Sequence, residues 1–201
     1  MRDKYQIEIE NKIKNFDYGY AFTATDFKEI ADTDPTNKAL SRLCESGIIR
    51  RVIQGVYDKP VYSAILKANS APDVDSVVAA LARKFNWTIA PDGETALNYL
   101  RLSTQISNEW SYISDGPYRK YEIEPYTIEF KHCANKEISG RSYITIIVIQ
   151  ALKYIGNGNI QREDVERLSQ FLSKEEKTTI LSEAYTATSW IYRILKEICG
   201  K

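Results

Sequence analysis

Apolar residues recur at helical spacing from the start of the chain: Tyr5, Ile9, Ile13 and Phe16 fall at i, i+4, i+8 and i+11. That spacing predicts a first helix over residues 2–15 with one buried face. Tyr18 to Phe22 reads as a short extended segment, after which Thr23 or Thr25 can cap a second helix containing Phe27, Ile30 and Ala31. Asp32 to Pro35 then turns into a third helix, because Asp and Thr accept hydrogen bonds from free N–H groups and Pro tolerates the first helical turn. Here Ala39, Leu40, Leu43 and Cys44 make the apolar stripe, leaving Thr36, Asn37, Lys38, Ser41 and Arg42 on the opposite face. Gly47 stops the helix, and Ile48–Ile53 and Val56–Tyr62 flank Gln54-Gly55, which suits a tight hairpin with glycine at positive φ. Three helices followed by a two-stranded ribbon predict a winged helix-turn-helix of about 60 residues.

Ser70-Ala71-Pro72-Asp73 marks a boundary, predicting domains over residues 1–68 and 73–201. Asp73 caps a helix with Val74, Val77, Val78, Leu81 and Ala82 on one face, closing at Arg83-Lys84, where basic charge suits a helix C-terminus. Trp87–Ala90 reads as a strand, Pro91-Asp92-Gly93 as a turn, and Glu94 to about Arg101 as a helix with Ala96, Leu97 and Leu100 inward. The segments SYIS, YRKYEIE and YTIEFKHC alternate apolar and polar residues and predict strands, the first two joined by an Asp115-Gly116-Pro117 turn. Ser142 to Tyr154 is apolar enough for a buried strand, yet continues through Gln150-Ala151-Leu152-Lys153, which favours a helix. Ile160–Leu172 and Lys174–Ile198 predict two more helices. The expected fold class is α+β: an N-terminal winged helix-turn-helix, then an α+β domain with a small antiparallel sheet and packed helices.

Composition changes the picture little. The 201 residues carry 27 basic and 27 acidic side chains, so a nucleic-acid contact must come from a local face rather than overall charge. Cys44, Cys133 and Cys199 are far apart and odd in number, indicating neither a disulfide framework nor a zinc pattern. The N-terminal residues lack the apolar run of a signal peptide, and no stretch reaches the roughly 20 apolar residues of a membrane span. A cytoplasmic protein with reduced thiols is expected.

Lys38 and Arg42, four residues apart, project from one side of the third helix; with Thr36, Asn37 and Ser41 they are placed to meet phosphates and base edges in a major groove. Arg50, Arg51 and Lys59 on the ribbon are candidates for clamping the flanking backbone, although strand alternation sends Arg50 and Arg51 to opposite sides. Asp34, Glu45 and Asp58 lower the local potential, so one copy should bind weakly and a homodimer on an inverted repeat more strongly. Catalysis is not indicated. His132 and Cys133 are adjacent in a predicted strand and point apart, with no third group to orient them. No glycine-rich phosphate loop with lysine and no metal-ligand cluster is present, so no cofactor is expected. Tyr112, Tyr118 and Tyr121 surround the Asp115-Gly116 turn and are candidates for a partner-binding patch, since Tyr combines contact area with a polar end.

The stretch NKALSRLCESGIIRRVIQGVYDKP contains Leu40, Leu43, Gly47, Ile49, Arg51, Gly55, Tyr57 and Pro60 in the pattern L-x-x-L-x-x-x-G-x-I-x-R-x-x-x-G-x-Y-x-x-P. It resembles the N-terminal region of the AbiEi-like antitoxins of type IV toxin-antitoxin systems. The resemblance continues through Leu81–Ile106 and Tyr112–Cys133. It implies an N-terminal domain that represses its own operon and a C-terminal domain that counters a nucleotidyltransferase-like toxin from the neighbouring gene. Of the matched positions, only Arg51 is a candidate DNA contact, and none is catalytic. The expected function is therefore a non-catalytic DNA-binding antitoxin and autorepressor acting on double-stranded DNA. Two alternatives stay open: a stand-alone regulator whose second domain senses a ligand or dimerises, and a protein-binding scaffold that no longer binds DNA.

Overall fold

A computed structural model describes residues 4–105 and 107–200, with the side chain of residue 136 also outside the description. The chain has an α+β fold with small antiparallel sheets, as expected. It divides into two compact units, Met1–Trp87 with Tyr121–Ile128, and Thr88–Lys120 with Glu129–Lys201.

The first unit begins with α1 (Lys4–Lys14); residues 2 and 3, where the expected helix starts, lie outside the described residues. Ile9 and Ile13 are buried, as their spacing predicts. The short strand β1 (Ala21–Phe22) leads into a 3-10 turn, Ala24–Phe27, in place of the expected second helix. Thr23 and Asp26 form a reciprocal capping box around it, Asp26 accepting from the Thr23 N–H at 2.8 Å and Thr23 from the Thr25 N–H at 3.2 Å. Phe27 anchors the turn in the core, its ring 5.7 Å from that of Phe22 and 6.1 Å from that of Phe16. Helix α2 (Thr33–Glu45) follows, ending before Gly47 at φ +73. Strands β2 (Arg50–Ile53) and β3 (Val56–Asp58) form the expected hairpin, with Gly55 at φ +75. β1 adds to the free side of β3, in the order β1-β3-β2. Leu40, Leu43, Ile49, Phe22 and Tyr57 join Ile9 and Ile13 in one core.

The ribbon strand expected to run to Tyr62 ends at Asp58. Beyond it β4 (Tyr62–Ser63) and β5 (Ala68–Asn69) make a separate two-stranded hairpin. Helix α3 (Val74–Phe85) is capped by Asp73, which accepts from the Ser76 N–H at 2.8 Å. The boundary at 68/73 placed this helix in the second domain, whereas compactness groups it with the first unit. The reason is its buried face and its ties to β1. Ser76 Oγ accepts from the Ala21 N–H at 2.6 Å, and Arg83 reaches Ala21 O at 2.9 Å and Asp26 at 2.7 Å.

In the second unit β6 (Ile89–Pro91) pairs antiparallel with β7 (Glu109–Ser114), Ala90 opposite Ile113. β8 (Arg119–Ile123) and β9 (Tyr126–His132), of which Tyr121–Ile128 is grouped with the first unit, complete a sheet of order β6-β7-β9-β8. Helices α4 (Gly93–Tyr99) and α6 (Tyr143–Ile155) pack together, with a short α5 (Asn135–Ile138) between β9 and α6. The β-branched run is helical, and α6 is buried without interruption from Thr145 to Leu152, so it serves as the centre of the unit rather than as a surface helix. α7 (Arg162–Phe171), α8 (Lys174–Glu183) and α9 (Ser189–Ile198) surround it. The single helix expected over 174–198 is broken at Ala184–Thr188. Glu183 there turns its carboxylate to the Ser142 N–H at 2.8 Å and hydroxyl at 2.7 Å, capping α6. Among the described residues no helix is long and apolar enough to cross a membrane.

Candidate nucleic-acid interface

Helix α2 buries Thr36, Ala39, Leu40 and Leu43, a stripe at i, i+3, i+4 and i+7, and turns Asn37, Lys38 and Arg42 to solvent. Thr36 is therefore corrected: it is fully buried, its hydroxyl donating to Ala31 O at 3.3 Å, and it cannot reach a ligand outside the fold. Among the described residues no hydrogen bond or ion pair engages the side chain of Asn37 or Lys38. Arg42 is exposed but anchored, one guanidinium nitrogen donating to Gln6 Oε1 at 3.0 Å. Gln6 belongs to the buried face of α1 and is 6% exposed, so it holds the arginine from beneath while other N–H groups stay available.

The ribbon adds one residue to this face. Arg51 Nη2 lies 3.3 Å from Ser41 Oγ on α2 and 3.2 Å from Tyr57 Oη on β3, and its guanidinium lies 5.4 Å from the centre of the Tyr57 ring. Ser41 and Tyr57 thus steer Arg51 toward α2, and the exposed Asn37, Lys38, Arg42 and Arg51 form one polar face with half-buried Ser41. Gln6 and Tyr57 have positioning roles that the sequence pattern did not assign. Tyr57 was visible only as a matched apolar position, and Gln6 only as one polar residue in a charged helix.

Arg50 and Lys59 do not belong to this face. Arg50 forms a bidentate pair with Asp58, at 3.0 and 2.5 Å, and its remaining terminal nitrogen donates to Ser70 O at 2.7 Å. The Asp58 carboxylate is 1% exposed, so this arginine is the counter-charge of a buried acid and is not available to phosphate. Lys59 donates to Lys14 O at 2.8 Å and Phe16 O at 2.7 Å, with its ammonium 4.4 Å from the Tyr18 ring centre. It closes the carbonyl end of α1, where a cation is favoured by the helix dipole. Because Arg50 neutralises Asp58, the acids that weigh on the α2 face are the exposed Asp34 and Glu45.

The three tyrosines do not form a surface patch. Tyr112 is 1% exposed, its ring 5.8 Å from that of Phe130. Tyr118 is exposed and donates its hydroxyl to Glu129, which holds the phenol above its usual pKa. Tyr121 is half-buried on β8, its hydroxyl oxygen out of reach of solvent. His132 Nδ1 lies 2.9 Å from Gly116 O, so it carries the proton and donates. Burial first, then the Glu137 and Asp115 carboxylates, push the Cys133 thiol up, which disfavours the nucleophilic thiolate. Among the described residues no cluster of three His, Cys, Asp or Glu could hold a metal.

The second unit has a cleft of about 500 Å³ lined by Glu137, Arg141, Ile149, Lys153, Thr186 and Ile191. Arg141 donates to Glu137 O at 3.0 Å and Thr186 Oγ1 at 2.9 Å, and Lys153 to the Glu137 carboxylate at 2.5 Å. The Lys153 hydrogen bond is the main cause holding Glu137 below its usual pKa.

The family model that matches this chain covers residues 8–180, from α1 into α8. The chain belongs to DUF6088, a family of unknown function. No curated protein matches it. The DUF6088 match takes in residues of both compact units.

Proposed function

We propose that this DUF6088 member is a non-catalytic DNA-binding antitoxin that represses its own operon, with residues 4–58 working as a winged helix-turn-helix and α2 as the recognition helix. The observation that carries the reading is the exposed face of α2, where Asn37, Lys38 and Arg42 are joined by Arg51 from the ribbon. Asn suits the paired edge atoms of adenine, and Arg or Lys those of guanine or a phosphate. Three cations correspond to a salt slope of about −2.7 for one copy and about −5.4 for two on an inverted repeat, so a single copy binds weakly. The antitoxin part rests on the resemblance to AbiEi-like proteins, which implies a nucleotidyltransferase-like toxin as partner of the second unit.

Fluorescence anisotropy on the DNA upstream of the protein's own gene, against scrambled DNA at two salt concentrations, tests this reading. Specific, salt-sensitive binding that fails in Lys38→Ala/Arg42→Ala supports it; equal affinity for both DNAs overturns the autorepressor. Relief of growth arrest on co-expression with the neighbouring gene product tests the antitoxin role.

The cleft beside Glu137, Arg141 and Lys153 favours one second reading, a stand-alone regulator whose second unit senses a small molecule. Its volume lies in the usual range of such sites. A neighbouring gene with no nucleotidyltransferase-like product would shift weight to that reading.

A further inference from the structure

The cleft in the second unit is built by that unit alone, from α5, α6, residues 186–188 and the first turn of α9. Its apolar lining is Ile149 of α6 and Ile191 of α9, both buried, with Ala187. Its charged groups are not all matched. Glu137 is held by Lys153 at 2.5 Å and by the side chain of Gln150, which is 4% exposed, so this carboxylate is already satisfied within the fold. Arg141 forms no ion pair among the described residues. Its Nη1 donates to Glu137 O and its Nη2 to Thr186 Oγ1, both neutral acceptors, which fixes the half-buried guanidinium and leaves its other N–H groups to a ligand. Glu183, which also feels the Arg141 charge, turns its oxygens to Ser142 at the start of α6. With Lys153 and Glu137 cancelling, the lining carries one positive charge in excess.

We propose, on the reading of this cleft as a small-molecule site, that it binds a small carboxylate with an apolar body, the carboxylate held by Arg141 and the Thr186 hydroxyl and the body by Ile149 and Ile191. A guanidinium fork matches the two oxygens of a carboxylate, and a guanidinium already tied in place loses little freedom on binding one. The Thr186 oxygen accepts from Arg141, so its hydroxyl proton is left to donate to the ligand. Charge selects a carboxylate over a phosphate. A monoanion neutralises the single excess cation, whereas a phosphate dianion would set a second negative charge against Glu137. The isoleucines offer nothing to an inorganic anion, and a cleft of about 500 Å³ encloses a whole small molecule.

Isothermal titration calorimetry of the full chain, with butyrate, phenylacetate and indole-3-acetate against the corresponding amides and inorganic phosphate, tests this site. At least one acid should bind saturably, and its amide about tenfold more weakly or worse. Arg141→Gln should weaken the acid by about tenfold and leave the amide unchanged. Thr188→Glu provides a variant that keeps the Arg141 bonds intact. Thr188 is an exposed lining residue whose side chain makes no cap hydrogen bond, and a carboxylate there should repel the acid and spare the amide. No acid binding up to about 10 mM, equal affinity for acid and amide, phosphate bound more tightly than every acid, or an acid affinity unchanged in both variants overturns the proposal. Repeating the DNA titration with the best acid present separates the site from the regulator reading: acid binding that leaves DNA affinity unchanged upholds the site and removes the sensing role.

Discussion

Helix α2 and the ribbon beside it both carry basic side chains within a span of 22 residues, Lys38 to Lys59, but in different states. On α2 the cations face water: the Lys38 side chain engages no partner among the described residues, and Arg42 is exposed above a single bond to Gln6. On the ribbon Arg50 is the counter-charge of a carboxylate 1% exposed, and Lys59 holds the end of another helix. Arg51, one residue from Arg50, faces the other way and belongs with α2. A basic residue next to a candidate recognition helix is thus no guide to binding until its own partner is known. The same charge stabilises the fold when an acid is buried behind it and is available to a ligand when none is.

Breaking the internal side of this contrast should have the largest effect. Arg50→Ala leaves the buried Asp58 unpaired and should lower the unfolding free energy by about 3 kcal/mol, read from urea denaturation. Arg50→Ala/Asp58→Ala should recover part of that loss, because the uncompensated charge is gone. Lys38→Ala/Arg42→Ala should do the reverse. Stability should fall by about 1 kcal/mol, the loss of the Arg42 bond to buried Gln6, while specific DNA binding is lost and the salt slope of the residual binding falls by about 1.8 per copy. Lys59→Ala should cost about 1 kcal/mol in the same denaturation experiment through the exposed carbonyls of α1, and leave the salt slope untouched. Smallest is Thr36→Val, which removes one hydrogen bond to Ala31 O and should cost no more than about 1 kcal/mol. Its DNA affinity should equal wild type, and a clear loss would show that Thr36 reaches the ligand.

The parts legible in the sequence are those governed by local periodicity. The stripe of α1, the α2 stripe, the Gln54-Gly55 turn, the Asp73 cap and α6 all depend on residues within a few positions of one another. Asn37, Lys38, Ser41 and Arg42 were placed on the outer side by that logic; Thr36 was not separated from them because a threonine reads as polar while its methyl group packs in a core. The roles of Arg50 and Lys59 were not legible, since their partners lie up to 20 and 45 residues away in sequence. The 3-10 turn at Ala24–Phe27 and the two-residue strands β4 and β5 are too short for a periodic signal, and the break at Ala184–Thr188 contains no glycine or proline. The family phrase itself is mostly architecture. Leu40, Leu43, Ile49 and Tyr57 are buried, and Gly47 and Gly55 take positive φ, which leaves Arg51 as its exposed polar member.

The ties from α3 to β1 bear on how a smaller fragment could be produced. A polypeptide stopped at the proline-containing stretch after Asn69 would lack Ser76 and Arg83, stranding the Ala21 amide and carbonyl and baring the apolar surface that Val77 and Leu81 cover. Such a fragment is expected to aggregate or express poorly. Extending it through Trp87 restores each of those partners, while Tyr121–Ile128, grouped with the same unit, would still be missing.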